Sequence, residues 1–268
     1  MAELRQDVTT GDWIVLAPER ATRPHEPRRA PGAPDEADRA RCPFCPGNEH
    51  LAPPELDRVP GWEGSPHGWA ARVVPNRFPA LEGPGESRVG TESAWFPWRE
   101  ATGAHEVVVE TPEHDRELAD MSDEELALLF EVYQRRYHAL RSRSGVRVVI
   151  VFRNRGAAAG TSLGHPHSQV VAAPVETPLL RRRYAVARAH FHDRGACLYC
   201  ELRDAESRAA ERVLFEDEDV VALLPFASRW PYETWILPRG HRPSFGDASD
   251  AERSAAARAL GRVLRRIR

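Results

Sequence analysis

The sequence predicts an α+β fold of antiparallel sheets with flanking helices, built as two related units of which the second is incomplete. Three observations predict it: short apolar runs typical of strands, an amphipathic stretch typical of a helix, and an internal repeat. We expect an N-terminal catalytic domain over residues 1–175 and a partial C-terminal domain over residues 176–268.

The predicted strands lie mainly in the first half of the chain. Short apolar runs at 12–17, 72–75, 105–110 and 146–152 indicate strands, whereas 18–40 is rich in Pro and charge and indicates an irregular surface segment. Ser122 and Glu125 form a capping box that begins a helix ending near residue 141. One face of this helix is apolar and predicts core packing: Leu126, Leu129, Phe130, Tyr133, Tyr137 and Leu140.

The repeat has a shift of 127 residues, and both copies have the order strand, turn, His, short loop, capping box and helix. A residue matching His165 in the second copy would have number 292, while the chain has 268 residues, so we expect the second copy to lack its closing strands. The shift superimposes these identical pairs: Glu106 and Glu233, His114 and His241, Ser122 and Ser249, Asp123 and Asp250, Glu125 and Glu252.

Charge and hydropathy exclude several classes of function. The net charge is −3, from 37 basic and 40 acidic residues, so no overall positive field would attract a nucleic acid. The N-terminal residues lack the apolar core of a signal peptide, and no run is long enough to span a membrane. We therefore expect a soluble cytoplasmic protein with neither nucleic-acid nor membrane partners.

The four cysteines form two Cys-x-x-Cys pairs, which in a reducing compartment favour a metal over disulfides or a redox dithiol. Cys42 and Cys45 need two further ligands to bind zinc tetrahedrally, and the repeat selects His114 as one. The other is His165 or His50, and His165 is preferred because a metal there would connect the cysteine turn to the strand that follows.

The second pair, Cys197 and Cys200, has only His241 as an evident third ligand. Three ligands leave a tetrahedral zinc site open. The second pair therefore indicates a possible second metal site that is either incomplete or closed by a group absent from this chain.

The stretch 152–174 combines a strand, a small-residue loop and a second strand. His165, His167 and Gln169 alternate, so in an extended segment they would share one face. Such a loop can bring backbone N–H groups close to an anion, although without the histidines a flexible turn would be the preferred interpretation. We interpret the stretch as a phosphate-handling active site with a histidine at its centre; its loop glycines are Gly156, Gly160 and Gly164.

These motifs resemble the galactose-1-phosphate uridylyltransferase branch of the histidine-triad superfamily. The resemblance rests on Gly-Ala-Ala-Ala-Gly-Thr-Ser followed by His-Pro-His-Ser-Gln, on Cys-Pro-Phe-Cys-Pro-Gly-Asn, and on Thr-Pro-Glu-His. It covers nearly the whole chain, including Trp-Pro-Tyr-Glu-Thr-Trp-Ile-Leu-Pro-Arg-Gly-His at 230–241. The family consists of two histidine-triad-like halves, as the repeat suggests, and the resemblance implies a possible homodimer.

The resemblance also implies a role for each matching residue. His167 would be the nucleophile that becomes nucleotidylated, and Cys42, Cys45, His114 and His165 would bind zinc. The residues implied to contact phosphate are Asn154, Gly160, Ser162 and Gln169, and those implied to contact the nucleotide are Asn76, Arg20 and Arg23.

The implied activity is that of a UDP-glucose:hexose-1-phosphate (galactose-1-phosphate) uridylyltransferase of galactose metabolism, working by a ping-pong route. Hydrolytic relatives carry a third histidine where this chain has Gln169, and a neutral amide binds phosphate without supplying a proton, which favours transfer over hydrolysis. The substrates of the implied enzyme would be a nucleotide sugar and a sugar phosphate.

Two features keep alternatives open. Arg77 follows Asn76 where better-known members have an acidic residue, and the second Cys-x-x-Cys resembles that of ADP-glucose phosphorylase. The nucleotide sugar could thus be UDP-glucose or ADP-glucose. A third alternative, from a different class, is a zinc-stabilised interaction protein without catalysis.

Overall fold

The computed structural model describes residues 2–22, 36–61, 67–161 and 163–268. The chain forms two compact units, the first made of Met1–Arg116 with Arg135–Thr177 and the second of Glu117–Gln134 with Pro178–Arg268. All strand pairs in the described residues are antiparallel, as predicted for this α+β fold.

The elements follow in chain order. The strands are β1 (Glu3–Asp7), β2 (Asp12–Leu16), β3 (Asp57–Pro60), β4 (Trp69–Pro75), β5 (Val89–Thr91), β6 (Pro97–Glu100), β7 (Ala104–Val109), β8 (Val148–Phe152), β9 (His167–Ala173), β10 (Val213–Glu216), β11 (Val220–Leu223) and β12 (Trp235–Pro238). The α-helices are α1 (Glu36–Arg41), α2 (Asp123–Arg141), α3 (Pro178–Arg194), α4 (Leu198–Ala209) and α5 (Asp250–Ile267). None of the helices in the described residues is long and apolar enough to span a membrane.

A five-stranded sheet with the order β3-β4-β7-β9-β8 forms the centre of the first unit. Strand β7 lies between β4 and β9 and is buried along its whole length. The register pairs Val107 with Val74 on one side and with Gln169 on the other, and it pairs Val109 with His167. Since residues two apart share a face of a strand, these side chains line one face of the sheet.

The other face of this sheet carries a buried ion pair. Glu106 on β7 accepts two hydrogen bonds of 2.8 Å from Arg136 on α2, and its side chain is 2% exposed. The paired geometry satisfies both carboxylate oxygens, which a buried carboxylate requires.

A smaller sheet of order β2-β1-β6-β5 completes the strands of the first unit. Leu4 of β1 is fully buried and packs with Leu81, Ala101 and Ala173 in a second cluster of apolar side chains. Ala173 ends β9, so this cluster anchors the far end of the strand that begins at His167.

The second unit contains the sheet β10-β11-β12, helices α3, α4 and α5, and the first part of α2. Val220 and Ala222 of β11 pack against Ala255, Ala259 and Val263 of α5. The small alanine side chains of α5 let the helix approach the sheet closely, and they are spaced along one helical face.

The predicted repeat is visible in the local structure. Short 3₁₀ turns at Leu118–Asp120 and Phe245–Asp247 lie 127 residues apart, and each precedes a capping box and a long helix, α2 and α5. Ser122 and Glu125 exchange bonds of 3.2 and 2.7 Å, and Ser249 and Glu252 exchange bonds of 3.2 and 2.8 Å. The shared sequence spacing thus produces shared local geometry.

Candidate active site and metal centre

The first cysteine pair lies on a tight turn between α1 and β3. The N–H of Cys45 donates to the carbonyl of Cys42 over 3.2 Å. Asn48 stabilises the turn, because its side-chain amide donates hydrogen bonds of 2.9 Å to the carbonyls of Cys42 and Arg39. Gly47 has φ +87°, which favours glycine, so the Pro-Gly-Asn sequence after Cys45 suits this backbone.

The turn brings both thiols to two histidines from distant parts of the chain. His114 Nδ1 lies 3.2 Å from Cys45 Sγ, while His165 Nδ1 lies 3.7 Å from Cys42 Sγ and 3.5 Å from Cys45 Sγ. All four residues are buried, and their ligand atoms lie within 4.8 Å of one another.

This donor set fits a tetrahedral metal ion. Zn–S and Zn–N bonds of ordinary length place a sulfur and a nitrogen about 3.6 Å apart across a tetrahedron, and the three distances between these atoms bracket that value. The group of Cys42, Cys45, His114 and His165 can therefore hold a metal ion. His50 is exposed and lies outside this group.

The surroundings of His165 prepare it as a ligand. Its Nε2 lies 2.8 Å from the carbonyl oxygen of Thr111, which can only accept, so the proton is on Nε2 and Nδ1 faces the sulfurs with its lone pair. Burial lowers the pKa of His165 to about 3, which keeps the ring neutral. Burial, with the nearby Cys42, raises the pKa of the Cys45 thiol to about 12.

A second group joins Cys197, Cys200 and His241 in the second unit. Cys200 Sγ lies 3.3 Å from His241 Nδ1, and the three ligand atoms lie within 4.8 Å of one another. The two cysteines are half-buried and His241 is exposed. Among the residues that the structure describes, this group has three members where the first has four.

His167 begins strand β9, two residues after the metal ligand His165. Its Nδ1 lies 2.8 Å from the carbonyl oxygen of His165. The ring of Phe44, which stands between the two cysteines in sequence, contacts His167 with centroids 5.4 Å apart and His165 with centroids 6.0 Å apart. One aromatic ring thus connects the metal group with the histidine predicted to be the nucleophile.

Gln169 lies next on the same face of β9 and takes part in a polar network. Its Oε1 lies 2.7 Å from Nε2 of His105 on β7, and that nitrogen also lies 3.1 Å from the side-chain nitrogen of Asn76. The N–H of Phe78 donates to Asn76 Oδ1 over 2.9 Å, and the Arg20 guanidinium donates to the carbonyl of Phe78. Asn76 and Arg20, predicted to contact the nucleotide, are thereby joined to Gln169, predicted to contact phosphate.

The remaining predicted residues lie in or near the loop after β8. Asn154 is exposed beyond Phe152, and Gly160 is exposed with φ +78°, a conformation that favours glycine. The space around a Cβ at Gly160 is open, so its role is to allow the backbone conformation. Ser162 and Arg23 lie outside the described residues.

Two residues that contact this site were absent from the sequence prediction: Phe44 and His105. His105 has the same strand parity as Val107 and Val109, which is a signal for its face of β7. Its bond to Gln169 depends on strand register, which the sequence of a single strand does not reveal. Phe44 could have been suspected from its place inside Cys-x-x-Cys.

Comparison with known proteins supplies independent evidence on the family of this chain. Residues 1–177 match the N-terminal domain of galactose-1-phosphate uridyl transferase, and residues 183–268 match its C-terminal domain. The chain is 32% identical over 252 residues to an ADP-glucose phosphorylase of Arabidopsis thaliana, covering 93% of this chain and 69% of that protein. It is 30% identical over 260 residues to a galactose-1-phosphate uridylyltransferase of Thermotoga maritima, covering 97% and 74%.

Solved structures of uridylyltransferases and of an ADP-glucose phosphorylase share the fold of this chain. A uridylyltransferase superimposes with a TM-score of 0.75 at 29% identity, covering 97% of this chain and 73% of the other. The Arabidopsis thaliana ADP-glucose phosphorylase with bound ADP-glucose superimposes with a TM-score of 0.71 at 29% identity, covering 100% and 78%. Both domain matches, two relatives at 30% identity or above, and the shared fold agree, and the chain therefore belongs to the galactose-1-phosphate uridyl transferase family.

Proposed function

We propose that this protein is a UDP-glucose:hexose-1-phosphate uridylyltransferase that transfers its nucleotidyl group through a covalent intermediate on His167. Family membership supports the reaction class. The observation that carries the assignment of His167 is the 2.8 Å contact between its Nδ1 and the carbonyl oxygen of His165.

That contact determines which ring nitrogen can react. A carbonyl oxygen accepts but cannot donate, so the proton of a neutral His167 is on Nδ1, and Nε2 carries the lone pair. When Nε2 forms a bond, the ring becomes positively charged, and the carbonyl oxygen beside Nδ1–H stabilises that charge. The backbone of one metal ligand thus activates the proposed nucleophile.

The proposed reaction has two displacements at one phosphorus. Nε2 of His167 attacks the α-phosphorus of UDP-glucose, the bond to the bridging oxygen breaks, and the electron pair leaves with glucose 1-phosphate. A phosphate oxygen of galactose 1-phosphate then attacks the same phosphorus, the bond to Nε2 breaks, and UDP-galactose forms. Each leaving group is stable without protonation, so no strong general acid is needed.

The other predicted residues would stabilise charge and position the substrate. Gln169 would donate an amide hydrogen bond to the transferring phosphoryl group, together with Asn154, Gly160 and Ser162. The proposed nucleotide contacts are Asn76, Arg20 and Arg23. We also propose that residues 1–175 form the catalytic domain and residues 176–268 the C-terminal domain.

We further propose zinc as the metal of the Cys42, Cys45, His114 and His165 group, and a possible second metal site at Cys197, Cys200 and His241. Two thiolates and two imidazoles suit zinc in a closed structural site. When bound, zinc would supply a cross-link between the cysteine turn and the start of β9, with no open position for substrate.

The central test is covalent labelling. Purified protein is incubated with UDP-glucose labelled at the α-phosphorus, quenched in base, and tested for acid-labile radioactivity on His167. We expect about one label per active site in the wild type and none in His167→Ala. His192→Ala, an exposed histidine on α3, is the matched control and should label like the wild type.

A second candidate, an ADP-glucose phosphorylase-like adenylyltransferase, is favoured by the 32% identical relative and by the second cysteine pair. Labelled ADP-glucose in the same assay distinguishes the two. Label from UDP-glucose that galactose 1-phosphate discharges supports the uridylyltransferase, whereas label from ADP-glucose that inorganic phosphate discharges supports the phosphorylase. A folded protein that takes no label from either would favour a zinc-stabilised interaction protein.

We propose in addition a cytoplasmic homodimer. Four cysteines without a disulfide among them support a reducing compartment. Light scattering after size-exclusion chromatography tests the dimer, since a monomer of 30.1 kDa is readily separated from twice that mass.

A further inference from the structure

His105 on β7 lies at the centre of the polar network but has no part in the proposed reaction described above. It is 6% exposed, and its two ring nitrogens contact three groups. The backbone N–H of Ala80 lies 3.1 Å from Nδ1, while Gln169 Oε1 and Asn76 Nδ2 lie 2.7 and 3.1 Å from Nε2. A buried imidazole with both nitrogens engaged has its orientation fixed by its neighbours.

The contact with Ala80 determines the tautomer of His105. A backbone N–H can only donate, so Nδ1 must accept, and the single proton of the neutral ring is on Nε2. Nε2–H therefore donates to the side chain of Gln169, and the atom that accepts must be the amide oxygen. The short distance of 2.7 Å agrees with this assignment.

This bond decides which end of the Gln169 amide faces away from His105. The two ends have nearly the same shape, so an unrestrained glutamine could turn by 180° and present its oxygen to a phosphate, which would be repulsive. With the oxygen bound to His105, the amide nitrogen is the end available to a phosphate oxygen. We infer that His105 is a positioning residue that orients the Gln169 amide so that its N–H groups face the transferring phosphoryl group.

Asn76 is oriented in a similar way from the other side. Phe78 N–H donates to Asn76 Oδ1 over 2.9 Å, which turns the nitrogen of Asn76 toward His105. Two N–H groups cannot bond to each other, so the Asn76 amide needs an acceptor from elsewhere, such as an oxygen of the nucleotide. Asn76 directly follows β4 and Gln169 lies on β9, the two strands on either side of β7, so the two amide donors flank His105.

This inference rests on the proposed function, and a double-mutant cycle tests it. The rate at which His167 becomes labelled is measured for His105→Leu, for Gln169→Ala and for the double variant. We expect His105→Leu to slow labelling by about 10- to 100-fold, the usual effect of losing one hydrogen bond to a charged group. In the Gln169→Ala background the same change should cost less than about threefold, because its target is gone.

Two further variants separate positioning from a merely structural role. His105→Gln places an amide N–H near the position of Nε2, and we expect it to recover at least part of the lost rate. His138→Leu, an exposed histidine on α2, should leave the rate unchanged. Equal losses in both backgrounds, or no rescue by glutamine, would show that His105 does not act through Gln169.

A measurement without substrate keeps the inference separate from the proposed function. Long-range ¹⁵N–¹H NMR spectra of wild type and His105→Leu identify the His105 signals by difference, and we expect a protonated Nε2 and an unprotonated Nδ1. The opposite tautomer overturns the inference even if the enzyme is active. If the wild type takes no label from any nucleotide sugar, the proposed function fails, while the tautomer still decides whether His105 can donate to Gln169.

Discussion

The two groups of cysteine and histidine ligands share one sequence pattern, a Cys-x-x-Cys pair and a histidine that follows a strand, yet their surroundings differ. In the first group all four members are buried, while in the second the two cysteines are half-buried and the histidine is exposed. The first group has a fourth member, His165, whereas the second group has three members among the described residues. The residue that distinguishes the two groups, His165, therefore also lies two residues before the proposed nucleophile, His167.

The difference suggests a division of roles. His165 faces the cysteines through Nδ1, bonds to the Thr111 carbonyl through Nε2, and offers its own carbonyl to His167. A metal in the first group would hold this whole arrangement, so its loss should affect both stability and chemistry. The second group consists of residues of the second unit, and we expect its loss to affect mainly the stability of that unit.

The largest expected difference between the two groups follows from removing one thiol from each. Cys45→Ser should abolish metal binding at the first group and lower the unfolding free energy by roughly 4 kcal/mol or more, the range typical of losing a structural metal. Cys200→Ser should lower it far less, because its site is open to solvent. Bound zinc per chain by mass spectrometry and Tm by calorimetry check both.

The control is the same pair of variants after dialysis against a chelator. Without metal the two proteins should differ by no more than an ordinary cysteine-to-serine change. Equal zinc loss and equal destabilisation from the two substitutions would contradict the distinction between the groups.

A second contrast lies in the paired glutamates of the repeat. Glu106 is buried against Arg136, whereas Glu233 is in an exposed loop, where it accepts bonds from the N–H of Arg229 and the indole of Trp235. Glu106→Gln should lower the free energy of unfolding by about 3 kcal/mol, because Arg136 is left buried without its counter-charge. This loss corresponds to a decrease in Tm of roughly 6–12 °C.

Glu233→Gln is the matched control and should leave Tm within experimental error. An equal shift in both variants, measured by calorimetry, would mean that burial does not distinguish the two copies at this position.

Metal binding at the first group should release a proton from Cys45. Burial raises the pKa of Cys45 to about 12, so at neutral pH this thiol is protonated in the metal-free protein and must lose its proton to bind. The pKa of Cys200 is also raised, chiefly by burial. Apparent zinc affinity at the first group should therefore rise at least about tenfold per pH unit from pH 6 to 8.

His165 should not contribute to this slope. Its pKa of about 3 keeps the ring neutral well below the range tested. Competition titrations with a chromophoric chelator, in wild type and in Cys200→Ser, measure the slope for the first group, and an affinity independent of pH would be incompatible with a protonated Cys45.

How far the sequence predicts this molecule depends on whether a feature is local. The helix α2 and its capping box follow from spacing along the chain, and β7 and β8 appear where their apolar runs indicated them. Contacts between strands are different, since Gln169 meets His105 only because β7 and β9 pair in one register. The donor network around the proposed nucleophile is of this second kind, which explains why His105 was missed.

The two capping boxes provide the smallest expected effect and the finest test of the repeat. Ser122→Ala and Ser249→Ala each remove one N-cap hydrogen bond, at a cost of about 1 kcal/mol. We expect the larger loss at Ser249, because its partner Glu252 is 5% exposed and also binds Arg242 at 2.9 Å, whereas the bonds of Ser122 are exposed to water. Chemical unfolding of both variants, with Ser142→Ala beyond the end of α2 as an exposed control, measures the difference. A larger loss at Ser122 would mean that burial around the cap does not govern its strength.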